Sequence, residues 1–123
     1  MLDQPTSTRA GEELDKYKLQ EYLRNKVAGF EQEISIQQFP SGYSNLTYFI
    51  LAGDHEYVLR RPPLGANIKS AHDMEREYTV LTRLKQAGYT GVPEAVHLCE
   101  DLDVIGVKFY LMKRVRGIIL RNR

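Results

Sequence analysis

Arg60 and Glu77 are the two side chains whose types and spacing point most directly to chemistry. Glu77 lies three residues after Met74 and four before Leu81, within the apolar stripe of a predicted helix. A carboxylate on the buried face of a helix needs a cation, because burying an unpaired charge is costly. Arg60, on the strand before that helix, is best placed by topology to supply it. The pair would orient a cation toward bound phosphate groups.

A second interpretation of Glu77 requires no site. The carboxylate could reach solvent, or it could pair with Arg76 or Arg83 on its own helix. Arginine can bind phosphate with two parallel hydrogen bonds, although it delivers its charge with a different geometry from lysine. Taken alone, these residues leave both interpretations open.

A turn of small and polar residues lies ahead of the strand that carries Arg60. Its backbone N–H groups and side-chain oxygens are the materials from which a turn can bind phosphate. The turn holds one glycine, and the chain contains neither a GxGxxG pattern nor a P-loop, so an ordinary hairpin turn stays open as an alternative. The residues concerned are Ser41, Gly42, Tyr43, Ser44 and Asn45.

A basic segment, KRVRG, follows the last predicted strand. Where a chain leaves a sheet, backbone groups such as those of Lys113, Arg114 and Val115 could hydrogen-bond to a nucleobase. A solvated basic surface, or a site for an acidic partner, is the other interpretation.

The histidines and the cysteine predict no further chemistry. His55, His72 and His97 share no metal-ligand spacing, and they fall in a turn, at a helix start and in a strand. Cys99 lies in an apolar strand, where we expect a small buried core residue. We therefore predict no metal site and no nucleophilic cysteine.

These residues are positioned by a predicted α+β fold. Short segments rich in β-branched and aromatic residues predict a mainly antiparallel five-stranded sheet, with one packed helix and an additional N-terminal helix. Gly29 is expected to end the first helix, and Ser70 to cap the second, with Asp73 in its first turn. The predicted helices are 12–28 and 71–87, and the strands are 34–39, 46–52, 56–61, 95–99 and 107–112, with 100–106 as a turn.

Composition restricts the function further. The chain has 123 residues, enough for one domain, with 42% hydrophobic and 27% charged residues and a net charge of +1. Near-neutrality gives no case for binding nucleic acid or an anionic membrane, and no apolar stretch is long enough to span a bilayer. We expect residues 1–11 to form a flexible leader. A single cysteine fits a cytoplasmic protein.

Four segments together carry a resemblance to a known family. They are EYLRNKVAGF, FPSGYSNLTY, EYVLRRPPLGANIKSAHDMEREYTVL and CEDLDVIGVKFYLMKRVRGIILR. In this order and spacing the chain, over about residues 12–121, resembles the N-terminal lobe of aminoglycoside phosphotransferase-like enzymes. It is most similar to the subgroup associated with acyl-CoA dehydrogenases. The resemblance implies that residues 12–123 form the nucleotide-binding lobe of a protein-kinase-like fold.

The resemblance also implies a role for individual residues. Arg60 would be the cation of the third strand and Glu77 its helix partner, as in protein kinases. Val58 would cover the adenine, and Met112 would guard the back of the pocket. Ser41 to Asn45 would be the nucleotide loop, and Lys113 to Val115 the hinge that holds the base. The loop departs from the family where Ser41 and Tyr43 replace the common glycine and glutamine.

Members of this family transfer the γ-phosphoryl group of ATP, with Mg²⁺, to a hydroxyl group. Their His-x-Asp base motif and a later metal-binding Asp belong to a C-terminal lobe, and no residue of this chain matches them. We therefore expect a fragment that is inactive alone, with Mg²⁺ and a small-molecule acceptor held mainly by the missing lobe. The subgroup implies a hydroxyacyl-CoA as acceptor.

The alternative is a non-catalytic protein-binding module. Such a module would self-associate, for instance as a homodimer, or bind a partner through an exposed sheet face or through the basic C-terminal tail.

Overall fold

A computed structural model of the chain describes residues 5–8, 11–40, 46–63 and 68–115, with the backbone alone for 68–71. It contains a five-stranded sheet and three helices in these ranges. In chain order the elements are α1 (Lys16–Leu23), β1 (Ile34–Gln38), β2 (Leu46–Ala52), β3 (His55–Arg61), α2 (Ile68–Gln86), β4 (Ala95–Cys99), α3 (Leu102–Ile105) and β5 (Phe109–Lys113).

The strands β2 and β3 form a tight hairpin whose turn decides which residues face each other. Gly53 adopts a φ of 63° in this turn, a conformation that glycine reaches without steric cost. Ala52 pairs with His55, and continuing this register places Thr47 opposite Arg60. The hairpin therefore brings a hydroxyl group beside the arginine.

All strand pairs are antiparallel, in the order β1-β2-β3-β5-β4. The helix α2 connects β3 to β4, and β5 then inserts between those two strands. This arrangement confirms the predicted α+β fold.

The two faces of the sheet carry separate apolar clusters. On one face, Tyr48, Ile50 and Leu59 pack with Leu19 and Leu23 of α1. On the other face, the cluster is smaller and packs against α2; its buried members are Val58, Met74, Tyr110 and Met112. Because successive side chains of a strand point to opposite faces, Arg60 lies on the α2 face.

The first helix is shorter than predicted. Asp15 caps it by accepting a hydrogen bond from the Lys18 N–H at 3.1 Å, and the helix ends at Leu23. Asn25 has a φ of 68°, so the chain leaves the helical path before Gly29. Gly29 is therefore not the helix stop that we predicted. A hydrogen bond of 2.7 Å between the Tyr22 hydroxyl and Nε2 of His97 joins α1 to β4.

Three other features differ from the sequence prediction by more than one residue. The second helix begins at Ile68, so Ser70 lies inside it and is not its cap, and Asp73 lies beyond the first turn. The predicted turn at 100–106 contains the short helix α3, capped by Asp101. The last strand begins at Phe109 instead of residue 107.

One part of the N-terminal segment is paired with the sheet. Thr6 and Gln38 exchange two backbone hydrogen bonds, of 2.7 and 2.8 Å, at the end of β1. The leader that we expected to be flexible is thus held at Thr6. No helix within the described ranges is long and apolar enough to cross a membrane.

Candidate functional site

The contact predicted between Arg60 and Glu77 is present and joins β3 to α2. Nε of Arg60 donates to Oε1 of Glu77 at 2.8 Å, and Nη2 donates to Oε2 at 3.2 Å. The Arg60 side chain is 7% exposed and that of Glu77 is 28% exposed. Two parallel bonds fix the plane of the guanidinium group, so the pair has a defined orientation and lies at the edge of the interior.

Two cross-strand neighbours of Arg60 complete this network. Thr47 on β2 accepts a hydrogen bond of 3.0 Å from Nη1 of Arg60. Tyr110, opposite Arg60 on β5, donates its hydroxyl hydrogen to Oε1 of Glu77 at 2.8 Å. Four side chains from three strands and one helix thus form one polar cluster, which we call the Arg60 cluster (Thr47, Arg60, Glu77, Tyr110).

Interactions within the Arg60 cluster offset the cost of burying its charged groups. Burial disfavours the charged form of Arg60, but the hydrogen bonds and the negative charge of Glu77 outweigh it and raise the pKa of the guanidinium. Burial, together with the charge of Glu77, also raises the pKa of the Tyr110 hydroxyl. Tyr110 therefore remains a neutral hydrogen-bond donor, and Arg60 remains a cation, at physiological pH.

Other charges on α2 have partners of their own. Arg76 pairs with Asp73 at 3.2 Å on the exposed side of the helix. Lys108, just before β5, contacts Glu75, and its Nζ lies 3.7 Å from Glu100. The contact between Lys108 and Glu75 attaches α2 to the residue just before β5, while Glu77 faces Arg60.

An apolar row lies beside the Arg60 cluster on the same face of the sheet. Phe49 is opposite Val58 on the neighbouring strand, and Val58 is in turn opposite Met112. All three side chains are buried. The predicted site residues Val58 and Met112 are thus adjacent to each other, and Val58 lies two residues before Arg60 on β3.

The last residue of β5 and the residue after it are held by backbone hydrogen bonds, one to the residue before β4 and one to β3. The N–H of Lys113 donates to the Glu94 carbonyl at 2.9 Å, and the N–H of Arg114 donates to the Glu56 carbonyl at 3.1 Å. The Lys113 side chain turns toward Glu94, with 3.6 Å between the charged atoms. The half-buried Val115 follows. The N–H groups of Lys113 and Arg114 are therefore already hydrogen-bonded within the described part of the chain.

The side chain of Arg114 lies over two aromatic rings. Its guanidinium carbon is 4.9 Å from the ring centre of Phe49 and 5.5 Å from that of Phe39. The arginine therefore reaches from the end of β5 across β3 to the first hairpin.

Several predicted residues lie outside the ranges that the structure describes. They are Ser41, Gly42, Tyr43, Ser44 and Asn45, with Arg116 and Gly117 of the basic segment. Within the described ranges, no three His, Cys, Asp or Glu side chains converge as a metal site requires. Cys99 is buried, and burial raises the pKa of its thiol.

Sequence reasoning did not select Thr47, Tyr110, Phe39 or Phe49. The signal for Thr47 was available, because the two-residue turn at Gly53 and Asp54 determines the register that pairs it with Arg60. The partner of Tyr110 depends on the pairing of β3 with β5, which no local turn determines.

A sheet of five antiparallel strands, crossed by one helix that carries the acid of a largely buried ion pair, is the architecture of a protein-kinase-like N-terminal lobe. The comparisons with known proteins agree. The model of the phosphotransferase enzyme family matches residues 35–123. The chain belongs to this family, whose members include kinase-like small-molecule phosphotransferases.

A solved structure shares the fold. It is the "putative aminoglycoside phosphotransferase" from Ralstonia eutropha JMP134, with a TM-score of 0.67 and 36% identity, covering 88% of this chain and 30% of that one.

Among curated proteins, the chain is similar to acyl-CoA dehydrogenase family members. It is 38% identical over 121 residues to family member 11 of Gallus gallus, covering 95% of the chain and 15% of that relative. It is 39% identical over 105 residues to family member 10 of Mus musculus, covering 85% and 10%. The chain thus spans a small part of the length of the relatives that it matches.

Proposed function

We propose that these residues form the ATP-binding lobe of a small-molecule phosphotransferase, which transfers the γ-phosphoryl group of ATP to a substrate hydroxyl. The observation that carries the proposal is the bidentate pair between Arg60 and Glu77. A cation held in a fixed plane at the edge of the interior suits the binding of anionic phosphate oxygens.

The neighbouring surface supports a nucleotide as the ligand. We place the planar base against the apolar row of Phe49, Val58 and Met112, next to the cation that would contact the phosphates. The segment from Lys113 to Val115 would hold the edge of the base. We assign the loop from Ser41 to Asn45 to the phosphates on the strength of the resemblance.

Mg²⁺ and the acceptor are assigned mainly to residues outside this chain. Mg²⁺ bridges phosphate oxygens and neutralises the charge that develops during transfer. The sequence has no His-x-Asp motif to activate a hydroxyl group. The role of the described residues is therefore to bind and orient the nucleotide. Similarity to acyl-CoA dehydrogenase family members favours a hydroxyacyl-CoA as the acceptor, and the single cysteine favours a cytoplasmic location.

Titration of ATP and Mg²⁺ into the full-length natural protein that contains these residues tests the proposal. We expect ATP to bind, and Arg60→Ala to weaken binding about tenfold to a hundredfold, the range for losing a charged hydrogen bond. Arg76→Ala, an exposed arginine beside Glu77, is the matched control and should leave the affinity unchanged. Unchanged affinity in Arg60→Ala would remove Arg60 from the site, and a wild-type protein that binds no nucleotide would contradict the proposed function.

A further inference from the structure

Contacts with two aromatic rings position the side chain of Arg114. The rings of Phe39 and Phe49 meet edge to face, with centroids 6.5 Å apart and an angle of 83° between their planes. The guanidinium group lies over both rings, nearer to Phe49. Contacts of this kind contribute about 0.5–2 kcal/mol, enough to favour one side-chain orientation.

The backbone places this guanidinium on the proposed nucleotide face. Alternation along β5 puts Arg114 on the same side of the sheet as Met112, and the bond from its N–H to Glu56 fixes the strand end against β3. To reach Phe49 on β2, the side chain must pass across β3 beside Val58. The guanidinium therefore lies at the Phe49 end of the row of Phe49, Val58 and Met112.

We propose that Arg114 is a specificity-determining residue of the base site, with its guanidinium stacked between Phe49 and the base of a purine nucleoside triphosphate. The inference rests on the proposed function and adds a second, cationic layer to the apolar face described above. In this arrangement the guanidinium keeps its contact with the Phe49 ring, and the base stacks on the side of the guanidinium that is turned away from Phe49.

The chemistry of arginine supports stacking over simple charge attraction. A guanidinium is planar, delocalised and weakly hydrated, so it stacks on aromatic and nucleobase faces, whereas a lysine ammonium is a compact and strongly hydrated charge. Stacking should depend on the base and hardly on the phosphates. A charge placed to attract phosphates would have the opposite dependence.

This difference defines the experiment. We would measure the affinities of ATP and of inorganic tripolyphosphate, which lacks a base, for the full-length protein and for Arg114→Ala and Arg114→Lys. Stacking predicts that both variants bind ATP about five- to thirtyfold more weakly while their affinity for tripolyphosphate changes less than twofold. Arg83→Ala, an exposed arginine of α2, is the matched control and should bind both ligands as the wild type does.

Three results would overturn the inference. Equal weakening for ATP and tripolyphosphate would make Arg114 a phosphate-binding charge. Tighter ATP binding by Arg114→Ala would mean that the side chain blocks the base site. Full retention of ATP affinity in Arg114→Lys would show that a charge without a planar face is sufficient. Failure of the wild-type protein to bind ATP would overturn the proposed function as well, and so differs from the other three outcomes.

Discussion

The hydroxyl group of Tyr110 donates a hydrogen bond of 2.8 Å to Oε1 of Glu77, across the contact between β5 and α2. The same oxygen accepts the Nε–H of Arg60. Two donors from adjacent strands therefore converge on one carboxylate oxygen. The position of Glu77 is set by the sheet as well as by its helix, so changes in β5 should be felt at Arg60.

Replacing Tyr110 by phenylalanine should reveal this coupling. The change removes one hydrogen bond to a charged group and keeps the ring, so we expect a loss of about 1–2 kcal/mol in the free energy of unfolding. Urea unfolding measures the loss. Tyr78→Phe is the control, because the Tyr78 ring packs against Tyr110 but its hydroxyl makes no hydrogen bond within the described ranges. A similar loss in both variants would argue against a specific role for the Tyr110 hydroxyl.

Removing one partner of the Arg60–Glu77 pair should lower the free energy of unfolding more than replacing both partners by apolar residues. Glu77→Ala leaves the buried guanidinium of Arg60 without its main counter-charge; with Glu77 partly exposed, we expect a destabilisation of about 1–3 kcal/mol. The double variant Arg60→Met with Glu77→Leu should recover much of this loss, since neither charge of the pair remains. Urea unfolding of Arg60→Met, of Glu77→Leu and of the double variant gives the coupling free energy.

An exposed pair on the same helix provides the comparison. Asp73→Ala breaks the contact between Asp73, which is 32% exposed, and Arg76, which is 70% exposed. This change should alter the free energy of unfolding by less than about 0.5 kcal/mol. The double variant at positions 60 and 77 could instead be less stable than Glu77→Ala. In that case, the ion pair contributes more to the free energy of unfolding than is regained by removing both charges.

Stability should fall at mildly acidic pH because of His97. Burial, with a smaller effect from the nearby charge of Lys26, lowers the pKa of His97 below its usual value of 6.5. Below pH 6.5 the unfolded chain therefore binds a proton at His97 more readily than the folded chain does. The contribution of His97 to stability is fully present above pH 6.5 and is lost as the pH falls toward the lower, folded-state pKa. A protonated ring also cannot accept the Tyr22 hydroxyl hydrogen at Nε2.

Urea unfolding at pH 7.5 and 5.5 tests this dependence. His97→Gln should lower stability at pH 7.5 and reduce the difference between the two pH values. His55→Gln, at an exposed position at the start of β3, should retain the wild-type difference. A His97 variant with undiminished pH dependence would assign the effect to other groups.

Gly29 should tolerate no side chain. Its φ is 95°, and a Cβ there would overlap the carbonyl oxygen of Ala52 and lie 3.0 Å from Cδ2 of His55. We expect Gly29→Ala to cost about 3 kcal/mol or more, since backbone strain and overpacking add. Gly88 has a similar φ of 89° but open space around it, so Gly88→Ala should cost only about 1 kcal/mol. Urea unfolding of both variants separates the clash from the strain.

The sequence predicted the strands better than the helix ends. Alternating and β-branched residues located β2 and β4 at the residues where the structure has them. The predicted stop at Gly29 failed because that glycine serves a close approach to Ala52 instead of ending a helix. The predicted cap at Ser70 failed because α2 starts earlier, at Ile68. Local residue preferences are shared between caps, turns and tight contacts, so they determine boundaries poorly.

The candidate site was predictable only where the sequence of a single helix or strand showed that a side chain needs a particular partner. A carboxylate on an apolar helix stripe demanded a cation, and this located the partner of Glu77 correctly at Arg60. Tyr110 and Arg114 carry no such local demand. Their contacts arise from the pairing of β5 with β3, which joins residues about 50 positions apart in the chain. Such long-range register depends on how all the strands and helices pack together.

The strand order also has a consequence for biosynthesis. Because β5 lies between β3 and β4, the strand that is translated last among the five described strands occupies an inner position in the sheet. A nascent chain that has emerged only as far as β4 can form the β1-β2-β3 meander but leaves the outer edge of β3 without its neighbour. Assembly of the sheet, and with it the attachment of Tyr110 to Glu77, must wait until Lys113 has left the ribosome.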